Sequence, residues 1–130
     1  MNQTSSENDL KTISLIAEGL TPGGFSLFVG GGEAARDLPL LSKLGITVAV
    51  NCALNADFNY VPANGPAWGG LCPSGRGPLR SYKVGLIDGD GNPATMMLAG
   101  YLLLDGALRQ TLPGKATYPY REGGNVLVHC

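Results

Sequence analysis

Short apolar runs separated by glycine-containing turns predict a sheet whose strands are buried on both faces. The last of these runs, Val-Leu-Val at residues 126–128, follows the turn at Gly123 and Gly124. Runs that are rich in β-branched residues and lack polar alternation are typical of strands in the middle of a parallel sheet. The same pattern predicts strands at residues 25–29, 46–50 and 81–87, and either a strand or a lead-in at residues 12–17.

Residues 33–44 have the apolar spacing of a helix. The apolar positions that recur along one face of it are Ala34, Leu38, Leu41 and Leu44. Pro39 lies inside this stretch and has no backbone N–H to donate, so we expect the helix to be kinked or shortened there. Gly45 is expected to end it.

A second helix is predicted from Pro93 to about Gln110, with Asn92 as its N-terminal cap. Its apolar positions form a wide stripe, which predicts that neighbouring elements cover the helix on more than one side. These positions are Met97, Leu98, Tyr101, Leu102, Leu103, Leu104 and Leu108.

The order strand, glycine turn, helix and strand over residues 25–50 predicts a βαβ unit, which favours parallel strands. We therefore expect an α/β fold in which helices flank a mostly parallel central sheet. The length of 130 residues fits one domain, so residues 1–130 are expected to form a single domain with a flexible tail at residues 1–9. Residues 62–78 predict a loop, and residues 58–61 a possible short strand before it.

Charge and composition argue against several classes of function. The net charge of −1 provides no field that would attract nucleic acid or a membrane surface. The sequence has neither an apolar run of about 18 residues nor the pattern of a signal peptide, so a cytoplasmic location is expected. The three cysteines, Cys52, Cys72 and Cys130, show no CxxC spacing, and there is a single histidine. We expect reduced thiols, with Cys52 and Cys72 inert, and no metal or other cofactor.

Cys130 is the candidate nucleophile because it follows the apolar run at residues 126–128, with His129 directly before it. Ligands of α/β sheets bind just beyond the carboxyl ends of such strands. Val-Leu-Val-His-Cys resembles the start of the signature motif of cysteine-dependent protein phosphatases, particularly the dual-specificity group. Residues 28–37, 41–51 and 86–89 resemble further segments of these domains in the same order, so the resemblance extends from about residue 27 to residue 130.

The resemblance implies hydrolysis of phosphoric monoesters through a cysteinyl-phosphate intermediate, with a phosphorylated protein or a small phosphomonoester as the substrate. Cys130 would be the nucleophile, His129 an orienting group, and Asp88 the general acid, with Asp90 as the alternative. Asn51 and Arg80 are the candidate substrate-binding residues. From the residues alone, Asp88 also fits an ordinary turn before Gly89, Asn51 also fits the end of a strand, and Arg80 also fits a solvated face.

The family motif continues after the cysteine with five residues, an arginine, and a serine or threonine. The sequence contains only the first two positions, His129 and Cys130. We therefore expect residues 1–130 to be part of a longer phosphatase domain, without its C-terminal helices, and to be inactive alone. Arginine matters in this motif because its planar fork binds phosphate through two hydrogen bonds.

Two other functions fit parts of the sequence. Residues 28–34, which include three successive glycines before a predicted helix, resemble the opening of a dinucleotide-binding domain. Against this, the next predicted strand ends in Asn51 and Cys52, without the acidic residue that binds the ribose hydroxyls. The other alternative is a phosphatase-like protein that binds phosphorylated ligands without turning them over.

Overall fold

The computed structural model describes residues 13–58, 79–115, 117 and 123–130. Within these residues the chain forms strands and helices in the order β1 (Ile13–Leu20), β2 (Phe25–Gly30), α1 (Gly32–Arg36), α2 (Leu38–Lys43), β3 (Ile46–Ala53), β4 (Arg80–Leu86), α3 (Ala94–Arg109) and β5 (Asn125–His129). The predicted tail at residues 1–9, the predicted loop at residues 62–78 and Cys72 lie outside the described residues. The possible strand at residues 58–61 does so too, except for Phe58, which is not in a strand.

The strands form a mixed sheet in the order β1-β2-β5-β3-β4. Strands β2, β5, β3 and β4 run parallel to their neighbours, whereas β1 is antiparallel to β2. The predicted α/β class with flanking helices is therefore confirmed, and the expectation of a mostly parallel sheet is corrected to a mixed one. The reason lies in residues 21–24, a tight turn closed by a hydrogen bond of 2.7 Å from Gly24 N to Leu20 O. A turn this short can join only antiparallel strands.

Strand β5 lies between β2 and β3. The βαβ unit predicted over residues 25–50 implied that β2 and β3 are neighbours in the sheet. Val128 is the register partner of Val29 on one side and of Val50 on the other. Val126 and Leu127 are completely buried, because strands and packed helices surround the middle of this strand. Strand β5 is thus the middle strand of the five-stranded sheet.

Helices α1 and α2 replace the single helix that was predicted for residues 33–44. The chain leaves helical geometry at Asp37 (φ −92°, ψ 79°), whose carboxylate accepts a hydrogen bond of 3.1 Å from Leu40 N. Pro39 lies at the start of α2, where a missing N–H costs no helical hydrogen bond. Ala34, Ala35 and Leu41 are buried against one face of the sheet.

Helix α3 covers the opposite face and closely matches its predicted bounds. Ala107, Leu104 and Leu108 pack into the cluster that includes Val84 of β4. The expectation that α3 is covered on more than one side is wrong for the described part of the chain, because a row of large apolar side chains on it is more than half exposed: Met97, Leu98, Tyr101 and Leu102. None of the helices in the described ranges combines the length and the apolarity that crossing a membrane requires.

Candidate active site at the carboxyl edge of the sheet

The carboxyl ends of β2, β5, β3 and β4 lie along one edge of the sheet because these strands run in the same direction. His129, at the end of β5, is the register partner of Gly30 on β2 and of Asn51 on β3. Cys130 follows β5 at this edge, and Asp88 lies just beyond the end of β4. The fold therefore brings four of the five predicted site residues to the same edge.

Cys130 directly follows β5 and is exposed. The residue thus lies on the solvent side of the carboxyl edge, at the end of a mostly buried strand. Cys52 occupies the neighbouring position on β3 and is half-buried. Burial raises the pKa of the Cys52 thiol, and the negative charge that Cys130 carries when ionised raises it further. Of these two thiols, Cys130 is the one placed to act as a nucleophile.

His129 is only 1% exposed, and its ring packs edge-on against Phe58, with the ring centroids 4.5 Å apart. Its Nδ1 lies 3.3 Å from the carbonyl oxygen of Cys130. Burial lowers the pKa of His129, and the positive charge of Arg36 acts in the same direction, whereas the hydrogen bond to Cys130 opposes them. A buried imidazole that contacts the backbone of Cys130 is placed to orient that residue, and the orienting role that the resemblance implied stays a prediction.

Arg36 and Phe58 belong to this cluster, although neither was predicted as a site residue. The guanidinium carbon of Arg36 lies 4.6 Å above the centroid of the Phe58 ring, a cation–π arrangement. Arg36 also lies against Gly32, where a Cβ atom would come within 2.9 Å of its Nη1. In the sequence, Arg36 was noted only as part of residues 28–37, which resemble a segment of the phosphatase family. Its contact with Phe58 was not predictable, because no local pattern indicates a contact between residues so far apart in the chain.

Asn51 is 4% exposed and uses both ends of its amide on nearby backbone. Its Nδ2 donates to Ala56 O at 2.7 Å, and its Oδ1 accepts from Ala53 N at 2.9 Å. These bonds hold the turn that leaves β3 beside the site. The structure therefore shows the amide of Asn51 bonded to backbone, and its predicted contact with substrate stays a prediction.

Asp88 and Asp90 are exposed on the loop between β4 and α3. Asn92 holds this loop: its Oδ1 accepts from Ile87 N and its Nδ2 donates to Ile87 O, both at 2.8 Å. Asn92 therefore does not cap the helix, as was predicted; its side chain binds the backbone of Ile87 at the start of the loop, and Pro93 occupies the N-cap position. Gly89 has a φ of +93°, a backbone conformation that residues other than glycine rarely adopt. Two strand spacings, roughly 10 Å, separate the β4 and β5 axes that lead to Asp88 and Cys130.

Arg80 lies at the opposite edge of the sheet, since it is the first residue of β4. It is level with Val48, and Val48 with Val126, so about 13 Å along the strands separates it from Cys130. It lines a small open pocket of about 40 Å³ there, together with Val48, Gly106, Ala107, Gln110, Leu112 and Gly123. The prediction that Arg80 binds substrate beside Cys130 is therefore corrected, because the direction of β4 places it at the other end.

Comparison with known proteins assigns no family to this arrangement. A scan against protein-family models gives no matching family, and a search of curated proteins gives no significant match. In the described ranges, no three or more His, Cys, Asp or Glu side chains form a group that could hold a metal ion. The function is therefore inferred from the residues at the carboxyl edge and from the motif resemblance in the sequence.

Proposed function

We propose that this protein hydrolyses phosphoric monoesters through a cysteinyl-phosphate intermediate on Cys130, as a protein phosphatase of the tyrosine or dual-specificity type in the cytoplasm. The observation that carries the proposal is the exposed thiol of Cys130 at the carboxyl end of the central strand β5, with the buried His129 against its backbone. The resemblance of residues 126–130 to the phosphatase signature indicates the substrate class, a phosphorylated protein or a small phosphomonoester. The proposed chemistry requires no metal or other cofactor.

In the first step, the Cys130 thiolate attacks phosphorus and the bond from phosphorus to the substrate oxygen breaks. The departing alkoxide or phenoxide needs a proton, and a positioned carboxylic acid provides it. Asp88 is the proposed donor because it lies on the exposed loop after β4, at the same edge of the sheet as Cys130. Asp90 on the same loop is the alternative donor.

In the second step, water attacks the phosphorus of the cysteinyl-phosphate, and the sulfur leaves as a thiolate. Inorganic phosphate is released and Cys130 is regenerated. The carboxylate formed on Asp88 in the first step accepts the proton of the attacking water, so the acid of one step becomes the base of the next.

Arg36 places a positive charge beside His129, and this charge lowers the pKa of the imidazole. A phosphoryl group at Cys130 carries negative charge, and a guanidinium stabilises such charge through directional hydrogen bonds. His129 contributes orientation: packing against Phe58 fixes its ring, and Nδ1 contacts the carbonyl group of Cys130.

The proposal is tested by hydrolysis of p-nitrophenyl phosphate, with the 130-residue chain and with the polypeptide purified from its native source assayed side by side. Cys130→Ser is expected to lower turnover at least about 1,000-fold, because the oxygen nucleophile is hardly ionised near neutral pH. Cys72→Ser is the matched control and should keep the wild-type rate. The expectation from the sequence that residues 1–130 alone are inactive stays a prediction. The assay of the 130-residue chain tests it. Absence of turnover in both forms, or undiminished turnover in Cys130→Ser, contradicts the proposal.

The two alternatives predict different outcomes. A dinucleotide-binding domain of the usual kind places the first two strands of its βαβ unit side by side, whereas β5 separates β2 from β3 here. That alternative predicts a higher melting temperature in the presence of NAD. A non-catalytic phosphate-binding protein would bind a phosphotyrosine peptide in the native polypeptide and release it unchanged.

A further inference from the structure

A small open pocket lies at the amino edge of the parallel strands, where they begin, at the opposite end of the sheet from Cys130. Its volume is about 40 Å³, and its wall combines Arg80, the first residue of β4, with Val48 of β3 and the last turn of α3. None of these residues takes part in the proposed phosphoryl transfer. A ligand bound here would therefore be separate from a substrate at Cys130.

Arg80 gives the pocket a positive charge that the described residues do not balance with a carboxylate. The ion pairs in the described ranges belong to Lys83 and Arg109, and no Asp or Glu is among the described residues that line the pocket. Nη1 of Arg80 donates a long hydrogen bond of 3.4 Å to the hydroxyl oxygen of Tyr82, which holds the half-buried guanidinium beside β4. A guanidinium has five N–H donors, so the others can serve an anion.

Gln110 provides a second donor at this pocket. It is the C-cap of α3 in a left-handed conformation (φ 61°, ψ 41°), and its side-chain amide lies against Gly123, where a Cβ atom would be 3.2 Å from Oε1. Among the described residues this amide has no hydrogen-bond partner, so its N–H groups can bind a ligand. The end of a helix carries only about half a negative charge, and the backbone N–H groups of Gln110 and Thr111 already donate to the carbonyl oxygens of Ala107 and Gly106. The full charge of the guanidinium therefore dominates.

The rest of the wall is apolar, formed mainly by Val48, Ala107 and Leu112. Val48 and Ala107 are buried, and these three side chains offer a ligand no hydrogen bond. A phosphate has polar oxygen atoms on every side, so an apolar wall would leave some of them without partners. The pocket has room for only a few non-hydrogen atoms, since a water molecule occupies about 30 Å³ in the liquid. A carboxylate on a short aliphatic chain fits both parts, with its oxygens towards the guanidinium and its alkyl group against the apolar side chains.

We propose that this pocket binds the carboxylate group of a short aliphatic acid, with Arg80 as its ion-pair partner and Gln110 as a second donor. The planar fork of a guanidinium forms two parallel hydrogen bonds with a carboxylate, which an ammonium group does not. Arg80 thus has a ligand-binding role at the amino edge, whereas the sequence analysis expected it beside Cys130. Binding at this pocket does not depend on the proposed phosphatase activity, so either can fail without the other.

The test is a titration of the isotopically labelled 130-residue chain with sodium propionate, followed by amide NMR shifts, with sodium chloride at equal ionic strength as the reference. We expect saturable shifts at the backbone amides of Gly106 and Gly123 and at the side-chain amide of Gln110, with a dissociation constant in the millimolar range for so small a ligand. Arg80→Gln should weaken binding at least about 10-fold, because hydrogen bonds to a charged group are lost. Arg109→Gln is the matched control and should keep the wild-type affinity, since Arg109 is exposed at the same end of α3 but is not in the wall of the pocket.

Related anions and a second variant identify the ligand class. Acetate should bind about fourfold more weakly than propionate, because it places one methylene fewer against the apolar wall. Tighter binding of inorganic phosphate than of propionate at the same amides overturns the assignment to a carboxylate. Shifts that do not saturate, that chloride reproduces, or that persist unchanged in Arg80→Gln overturn the site. Arg80→Lys keeps the charge but should still bind more weakly than wild type, and equal affinity would contradict the contact through two hydrogen bonds.

Discussion

Asn51 and His129 are register partners on neighbouring parallel strands, and both are buried polar side chains at the ends of apolar runs. Each uses its side chain to hold the backbone that leaves the sheet: Asn51 contacts Ala53 and Ala56, and His129 contacts the carbonyl group of Cys130. Burial of polar groups is unfavourable unless they are hydrogen-bonded. This pair therefore fixes the paths of two segments that border the candidate site.

Replacement of Asn51 with alanine is expected to destabilise the protein by about 1–3 kcal/mol, because two hydrogen bonds to partly buried backbone groups of the turn are lost. Asn55→Ala is the matched control, since Asn55 is exposed on the same turn, and should change stability by less than about 0.5 kcal/mol. Urea denaturation monitored by circular dichroism measures both. Equal effects of the two substitutions would show that the hydrogen bonds of Asn51 contribute nothing.

The pKa of His129 should make stability depend on pH in a defined direction. Burial is the main reason that this pKa lies below its ordinary value of 6.5, and Arg36 adds to the shift. The unfolded chain then binds a proton more readily than the folded chain, so the stabilisation is complete above pH 6.5 and is lost as the pH falls through 6.5 towards the folded pKa.

The pH dependence is measured as the free energy of unfolding between about pH 5.5 and 7.5 in wild type and in His129→Gln. In His129→Gln, the decrease in this free energy that protonation of the imidazole causes should be absent. Because the chain has one histidine, its imidazole resonance also gives the folded pKa directly by NMR. A folded pKa at or above the ordinary value would contradict the buried placement. Arg36→Gln should raise the pKa, since it removes a positive charge from the neighbourhood of the imidazole.

Asp88→Asn is expected to lower turnover of alkyl phosphates about 100- to 10,000-fold, since the leaving alkoxide then lacks its proton donor. The effect should be smaller for p-nitrophenyl phosphate, whose phenoxide leaves readily without a proton. Asp90→Asn on the same loop is the matched control. A larger loss in Asp90→Asn would transfer the role to that residue. An equal fold-loss for both substrates in Asp88→Asn would argue against general acid catalysis.

The central position of β5 predicts an unequal pair of Leu→Ala substitutions. Leu127→Ala should destabilise the protein by about 2–5 kcal/mol, because this side chain is completely buried and its loss leaves a cavity. Leu98→Ala removes an exposed side chain of α3 and should change stability by less than about 0.5 kcal/mol. Chemical denaturation of both variants compares them, and similar losses would mean that the outer face of α3 is covered in solution.

The strands around the candidate site were predictable because their signal is local. The apolar run at residues 126–128, which two glycines precede, predicted β5, and helical spacing predicted α3 to within about one residue. The break at Asp37 was anticipated from Pro39, although the capping contact of Asp37 with Leu40 was not. Periodicity, turn residues and caps act over a few positions, so they can be recognised without knowing what the element packs against.

Partner choice was not predictable in the same way. Nothing in residues 25–50 indicates that β5 inserts between β2 and β3, because any apolar strand can pair with any other of similar length. The predicted role of Arg80 failed for this reason: its distance from Cys130 depends on the direction of β4. The outer face of α3 is a further case, since apolar spacing does not distinguish a covered face from an exposed one.

The sequence by itself determined that the chain contains both strands and helices, that a cysteine follows the apolar run at residues 126–128, and that glycine turns lie beside the strands. These properties follow from side-chain burial and backbone conformational preference, which act within a short segment. Only the tertiary structure decided that β5 is central, that Arg36, Phe58 and His129 form one cluster, and that Cys52 lies beside Cys130. Those relationships join residues far apart in the chain, and the free energy that selects them comes from the packing of the whole sheet.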